Sequence, residues 1–128
     1  MNVNSYNKAI DDQINQCRAI LMIKHNEYAE DPEREDSDHL SNFHNCARIL
    51  KTNVKKAWLG MFVKHIESLI KLINDDVDPY NHIWDEKITD SINYLLLLNA
   101  LNEEVREICE PIPVVSKGGN NHESNNSL

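Results

Sequence analysis

A chain of 128 residues, 41% of them hydrophobic and 27% charged, is long enough to bury one core and has the balance of a globular domain. Its formal net charge of −8 disfavours general DNA or RNA binding, which needs a basic surface for phosphates. Before Glu110 there is one glycine (Gly60) and two prolines (Pro32, Pro79), too few turn-formers for a β-sandwich or barrel.

The first predicted helix runs from about Ser5 to Ala29. Ser5 is placed to cap it, and Asp11 and Asp12 lie near the positive end of its dipole. Ile10, Ile14, Cys17, Leu21 and Tyr28 recur at the spacing of one buried face. Pro32 and the acidic run EDPEREDSD end the helix, so Glu30 to Asp38 reads as a solvated loop.

A short second helix follows from about Leu40 to Leu50, with Phe43, Cys46, Ala47 and Leu50 on one side. Thr52 or Asn53 can cap the third, Val54 to about Asn74, the most apolar segment of the chain. Trp58, Phe62, His65, Leu69 and Leu72 form one stripe, with Leu59, Ile66 and Ile70 beside it. An arc that wide predicts two neighbours for this helix, one of them a second subunit.

DDVDPYNHI is a turn around Pro79, and the fourth helix spans about Trp84 to Ile108. Ile88, Ile92, Leu95 and Leu96 are its expected early buried face, while Leu97, Leu98 and Leu101 widen the apolar surface. Uncovered, those leucines would form a patch that soluble monomers rarely carry, so a homodimer or homotetramer is expected. Pro111 and Pro113 stop the helix, and VSKGGNNHESNNSL has almost nothing to bury. The reading is therefore an all-α four-helix bundle, one domain over residues 1–114 with a disordered tail over 115–128.

No apolar run approaches the roughly 18–20 residues that span a bilayer. MNVNSYNKAIDDQ also lacks the basic and apolar regions of a signal peptide, so a cytoplasmic protein with no membrane partner is expected. Cys17, Cys46 and Cys109 are widely spaced with no CxxC pair, and are read as reduced small hydrophobes.

Glu86, Asp90 and Asn93 sit at i, i+4 and i+7 of the fourth helix, within roughly 60° of one another on the wheel. Two carboxylates one turn apart can share a hard cation; they can equally belong to a plain solvated face. Lys24 and Glu27 share a face near the end of the first helix and could be only an intrahelical ion pair. His65 lies inside an apolar stripe, where a hydrogen-bonded core histidine competes with a ligand. Lys64, Glu67 and Lys71 suit a solvated ion-pair face. Asn42 and Phe43, where the acidic loop enters the second helix, suit either a nucleobase or a hydrophobic anchor. There is no glycine-rich phosphate loop, GxSxG, HExxH or EF-hand loop.

The order KHNEYAEDP, DHLSNF, WLGMFVKHIESL and WDEKITDSINYLLLL, over roughly Leu21 to Leu101, resembles the MazG-like all-α nucleoside triphosphate pyrophosphohydrolases. The likeness is to their small phage-type branch, often described as dATP/dGTP diphosphohydrolases. It implies a bundle completed by oligomerisation, with Mg²⁺-dependent cleavage of a (deoxy)nucleoside triphosphate between its α- and β-phosphates. By that resemblance Glu86 and Asp90 match the acidic pair of the late helix, with Glu27 or Glu67 as a further metal ligand. Lys64 matches a helix-three lysine that binds the phosphates, beside His65. Lys24 and Tyr28 match the cluster ending the first helix, Asn42 and Phe43 an Asn-Phe pair that reads and stacks on the base. Asn93 matches a polar position completing the late-helix face. MazG proteins proper carry Glu-x-x-Glu where this chain has Lys64 and Glu67. The rival readings are an acidic helical phage protein that binds and inhibits a host protein, or a nucleotide-binding relative that does not cleave.

Overall fold

The structure is a computed structural model that describes residues 1–28 and 38–109, the side chains of residues 25–28 excepted. The described residues form four helices: α1 (Val3–Tyr28), α2 (Ser41–Leu50), α3 (Val54–Asn74) and α4 (Ile83–Cys109). Among the described residues there is no strand, so the all-α expectation holds. None of these helices is long and apolar enough to cross a membrane. The expected 30–37 part of the solvated loop and the expected 115–128 tail lie outside the described residues.

Short polar side chains set the helix limits by taking up amide groups that the first turn leaves unpaired. Asn53 Oδ1 accepts the Lys56 amide at 2.8 Å, which starts α3 where the sequence places it. Asn81 Oδ1 takes the Ile83 amide at 3.0 Å ahead of α4. At α1 the cap is Asn2, whose Oδ1 accepts from Ser5 N at 2.9 Å; Ser5 is inside the helix and caps nothing. The earlier start leaves Asp11 and Asp12 two turns inside, away from the dipole's end, and no acidic residue lies in the first turn. Lys51 ends α2 in the left-handed conformation (φ 56°), and its amide returns to Arg48 O, which tightens the reversal into α3.

The core lies among α2, α3 and the second half of α4. Leu40, Phe43, Trp58 and Leu101 are its buried centre, with Val54, Met61, Phe62, Tyr94, Leu97, Leu98 and Ala100 packed around them. Trp58 stacks on Phe62 with ring centres 4.7 Å apart, and Phe43 meets Tyr94 edge-on at 6.1 Å. Trp58 Nε1 donates to Tyr94 O at 2.7 Å, so the indole's polar atom is satisfied inside. Leu97, Leu98 and Leu101 thus fill the core and do not widen an outer patch.

α1 packs on α4. Gln13 and Lys24 are eleven residues apart, about 16 Å along a helix, yet both reach the same turn of α4, at Thr89 and Asp90. α1 therefore crosses α4 and does not run along it. Among the described side chains of α1, only those around the crossing are covered. Cys17 is buried, whereas Ile10 and Ile14, expected on the same buried face, are exposed.

The early face of α4 also departs from expectation. Thr89, Ser91 and Asn93 are buried, while Leu95 and Leu96 are about half exposed. α4 packs against both α1 and α3, and Gln13 of α1 reaches Thr89. Thr89 Oγ1 accepts from Gln13 Nε2 at 2.9 Å and Ser91 Oγ donates to Lys87 O at 2.8 Å, which offsets their burial.

Candidate functional site

Three helices bring polar groups together beside the aromatic core. α1 supplies Lys24, α3 supplies Lys64 and His65, and α4 supplies Lys87, Asp90 and Asn93. Lys24 Nζ is 3.6 Å from Asp90 Oδ1, and the Asp90 side chain is only 17% exposed. His65 stands against Tyr94 with ring centres 4.4 Å apart, one residue beyond Asn93.

Burial pushes the His65 imidazole below its ordinary pKa of 6.5. Asp90 opposes that shift, and the charges of Lys64, Lys87 and Lys24 reinforce it. The ring is neutral at pH 7. The charges of one carboxylate and three lysines thus reach His65, and of these Lys24 lies against Asp90 while Lys87 pairs with Glu86.

Three buried atoms of this cluster, His65 Nε2 and the Nδ2 and Oδ1 of Asn93, have no hydrogen-bond partner among the described residues. Leaving such an atom unmatched costs about 1–3 kcal/mol, so buried polar atoms nearly always have partners. The imidazole, with lysine charges near it, and the buried amide both hold unmatched donors and acceptors that a polar ligand could use.

Four of the residues singled out in the sequence thus converge, Lys24, Lys64, His65 and Asp90, and Asn93 is buried three residues beyond Asp90 on α4. Lys87 was missed. It is half-buried and lies three residues before Asp90, at helical contact spacing, a signal the sequence did contain.

Glu86 stands at the edge of this cluster: it is 52% exposed and pairs with Lys87 at 3.3 Å. Glu67 is exposed on α3. Among the described residues no three His, Cys, Asp or Glu side chains are grouped as a metal site. Phe43 is 6% exposed and belongs to the core, so it cannot stack on a base; of the two roles left open for it, it serves as the hydrophobic anchor. Asn42 is exposed at the start of α2, and its side chain makes no hydrogen bond to another described residue. The side chains of Glu27 and Tyr28 lie outside the described residues. Lys24 reaches across to Asp90, a partner on another helix.

Comparison of the chain with protein-family models, with characterised proteins and with solved structures finds no match.

Proposed function

We infer that this chain is a Mg²⁺-dependent (deoxy)nucleoside triphosphate pyrophosphohydrolase of the MazG-like kind, releasing the nucleoside monophosphate and pyrophosphate. The observation that carries the reading is the set of unmatched buried polar atoms on His65, near the charges of Lys24 and Asp90, and on Asn93, three residues beyond Asp90 on α4. The order of short motifs from Leu21 to Leu101 supplies the reaction class.

A triphosphate brings about four negative charges to a protein already at −8, and a divalent cation between them resolves that conflict. Mg²⁺ commonly needs one or two carboxylates, with water and substrate phosphates filling the other positions. Asp90 and Glu86, one turn apart, supply that donor set, and Glu27 or Glu67 is the candidate for a further ligand. Their lysine contacts, at 3.6 and 3.3 Å, are loose enough to exchange for a cation. Bound there, Mg²⁺ supplies charge neutralisation at the phosphates and a water of lowered pKa.

The chain's own groups do the rest. Lys24, Lys64 and Lys87 hold phosphate oxygens as point charges. Lys24 exchanges Asp90 for a phosphate as the ligand enters. Asn93 donates through Nδ2 and accepts through Oδ1, and neutral His65 adds one further donor or acceptor. Tyr28 and Asn42 remain the candidates for contact with the base. The test is pyrophosphate release from nucleoside triphosphates with Mg²⁺, with Asp90→Asn as the variant that abolishes it.

A second reading, nucleotide binding without cleavage, is favoured by one observation: Lys64 and Glu67 stand where MazG proteins proper carry Glu-x-x-Glu. Tight binding with no pyrophosphate would select it.

A further inference from the structure

Charge is unevenly spread along this chain. From His39 to Ile66, 28 successive residues hold five cations, Arg48, Lys51, Lys55, Lys56 and Lys64, and no carboxylate. The other 100 residues hold eight Lys and Arg and all 21 Asp and Glu, a net charge of −13. The expectation against nucleic acid rests on the average of −8, which conceals a face of the opposite sign.

The fold sets these cations on the outside of α2, α3 and the reversal between them. All five residues are exposed, and among the described residues none of them forms an ion pair. Arg48 donates to Asn45 Oδ1 and Lys55 to Asn102 Oδ1, neutral partners that leave both charges unmatched. The positive end of the α3 dipole falls among them. Along α3, Lys56, Gly60 and Lys64 follow one another at four-residue spacing, so two lysines about 12 Å apart along the axis flank a position without a side chain. A Cβ added at Gly60 meets no atom within 4 Å, so no contact inside this chain requires the glycine. An exposed glycine of that kind suits the close approach of another molecule to the helix.

The surroundings of the face decide which anion fits. Single strands bind by stacking their bases on exposed rings; here Phe43 and Trp58 are buried and Phe62 packs against the core. An anionic bilayer is a plane wider than the molecule, so it also faces Glu67 beside the lysines and Asp75 and Asp76 just beyond α3. A duplex is a narrow rod edged with phosphates, and it can meet the cationic face alone.

We propose that the face bearing Arg48, Lys51, Lys55, Lys56 and Lys64 binds the phosphate backbone of double-stranded DNA without reading its sequence. The proposal stands independently of the nucleotide reading: Lys64 is shared with the candidate site, and the other four cations are not. Lysines bind phosphates as point charges and carry no base information.

The test is fluorescence anisotropy of a labelled DNA duplex of about 20 base pairs, titrated with the full chain between roughly 30 and 150 mM salt. The logarithm of the affinity falls with that of the salt concentration at a slope of about −4, as four or five phosphate contacts require. Two duplexes of unrelated sequence bind alike. Lys51→Asn and Lys56→Gln each weaken binding and reduce the slope by about one. Asn suits the left-handed backbone of Lys51 (φ 56°), so the helical spectrum is kept. Gly60→Gln puts a better helix former between the lysines, and it raises stability while weakening binding. A duplex left unbound at about 30 mM salt overturns the proposal, as does a slope unchanged in both lysine variants. Tighter binding to polyglutamate, or to vesicles containing phosphatidylserine, overturns it in favour of an acidic protein or a bilayer.

Discussion

Lys24 Nζ lies 3.6 Å from Asp90 Oδ1, joining the last turns of α1 to the middle of the polar cluster on α4. The lysine is half exposed and the distance exceeds a hydrogen bond, so the pair adds at most about 1 kcal/mol to stability. Its value lies in where it holds the two charges. Asp90→Asn keeps the shape and removes the carboxylate charge. Hydrolysis then falls by roughly 100-fold or more while the helical spectrum and melting temperature stay close to wild type. Lys24→Ala is expected to raise the KM for a triphosphate more than it lowers kcat. Asp90→Asn with wild-type rates would remove Asp90 from the site.

Phe43 tests the division between core and site. Truncation to Ala removes a ring packed against Tyr94 and the rest of the core, at a cost of about 3–5 kcal/mol in urea unfolding. Phe43→Leu, which keeps most of the volume, costs well under half of that, and nucleotide affinity is unchanged in it. A base-stacking role would give the opposite pair of results, with affinity lost and stability kept.

The pH dependence follows from His65. Its pKa in the folded protein is below the ordinary 6.5, chiefly through burial, so the unfolded chain binds more protons at His65 than the folded one as pH falls. Stability from this group is fully present above pH 6.5 and is lost progressively as pH drops through 6.5 toward the lowered value. Melting temperature measured from pH 7.5 to 5.5 should decline, and His65→Gln should flatten that part of the curve. An identical slope in His65→Gln would show that the histidine is not the titrating group.

How far the sequence carried this account depends on what each residue meets. Asn53 caps α3 with its own neighbours, so a local signal sufficed to place that helix at Val54–Asn74. The face of α4 was misjudged because hydrophobicity points to Leu95 and Leu96, whereas the crossing of α1 covers Thr89 and the neighbouring turns. That crossing is a tertiary event, with no trace in the periodicity of either helix. Phe43 was ambiguous for the same reason: an aromatic at a helix start packs inward or stacks on a ligand, and only Tyr94 across the core decides. In the polar cluster, helical spacing brings Asp90 and Asn93 near each other, while the meeting of Asp90 with Lys24 and His65 needs three helices in place.

Gly60 gives a prediction about stability alone. It sits within α3, exposed, and a Cβ added there meets no atom within 4 Å. A glycine inside a helix costs about 1 kcal/mol relative to alanine. Gly60→Ala should therefore stabilise the protein by roughly 0.5–1 kcal/mol, read as a higher midpoint in urea. A lower midpoint would mean that the open space beside Gly60 is filled in solution.

The most direct test of the central claim is to incubate the purified chain with each of the eight common nucleoside and deoxynucleoside triphosphates, with and without Mg²⁺, and to measure pyrophosphate. The account predicts pyrophosphate and the matching monophosphate in equal amounts from at least one of them, dependent on Mg²⁺ and lost in Asp90→Asn. No pyrophosphate from any of the eight, or orthophosphate in its place, would contradict it.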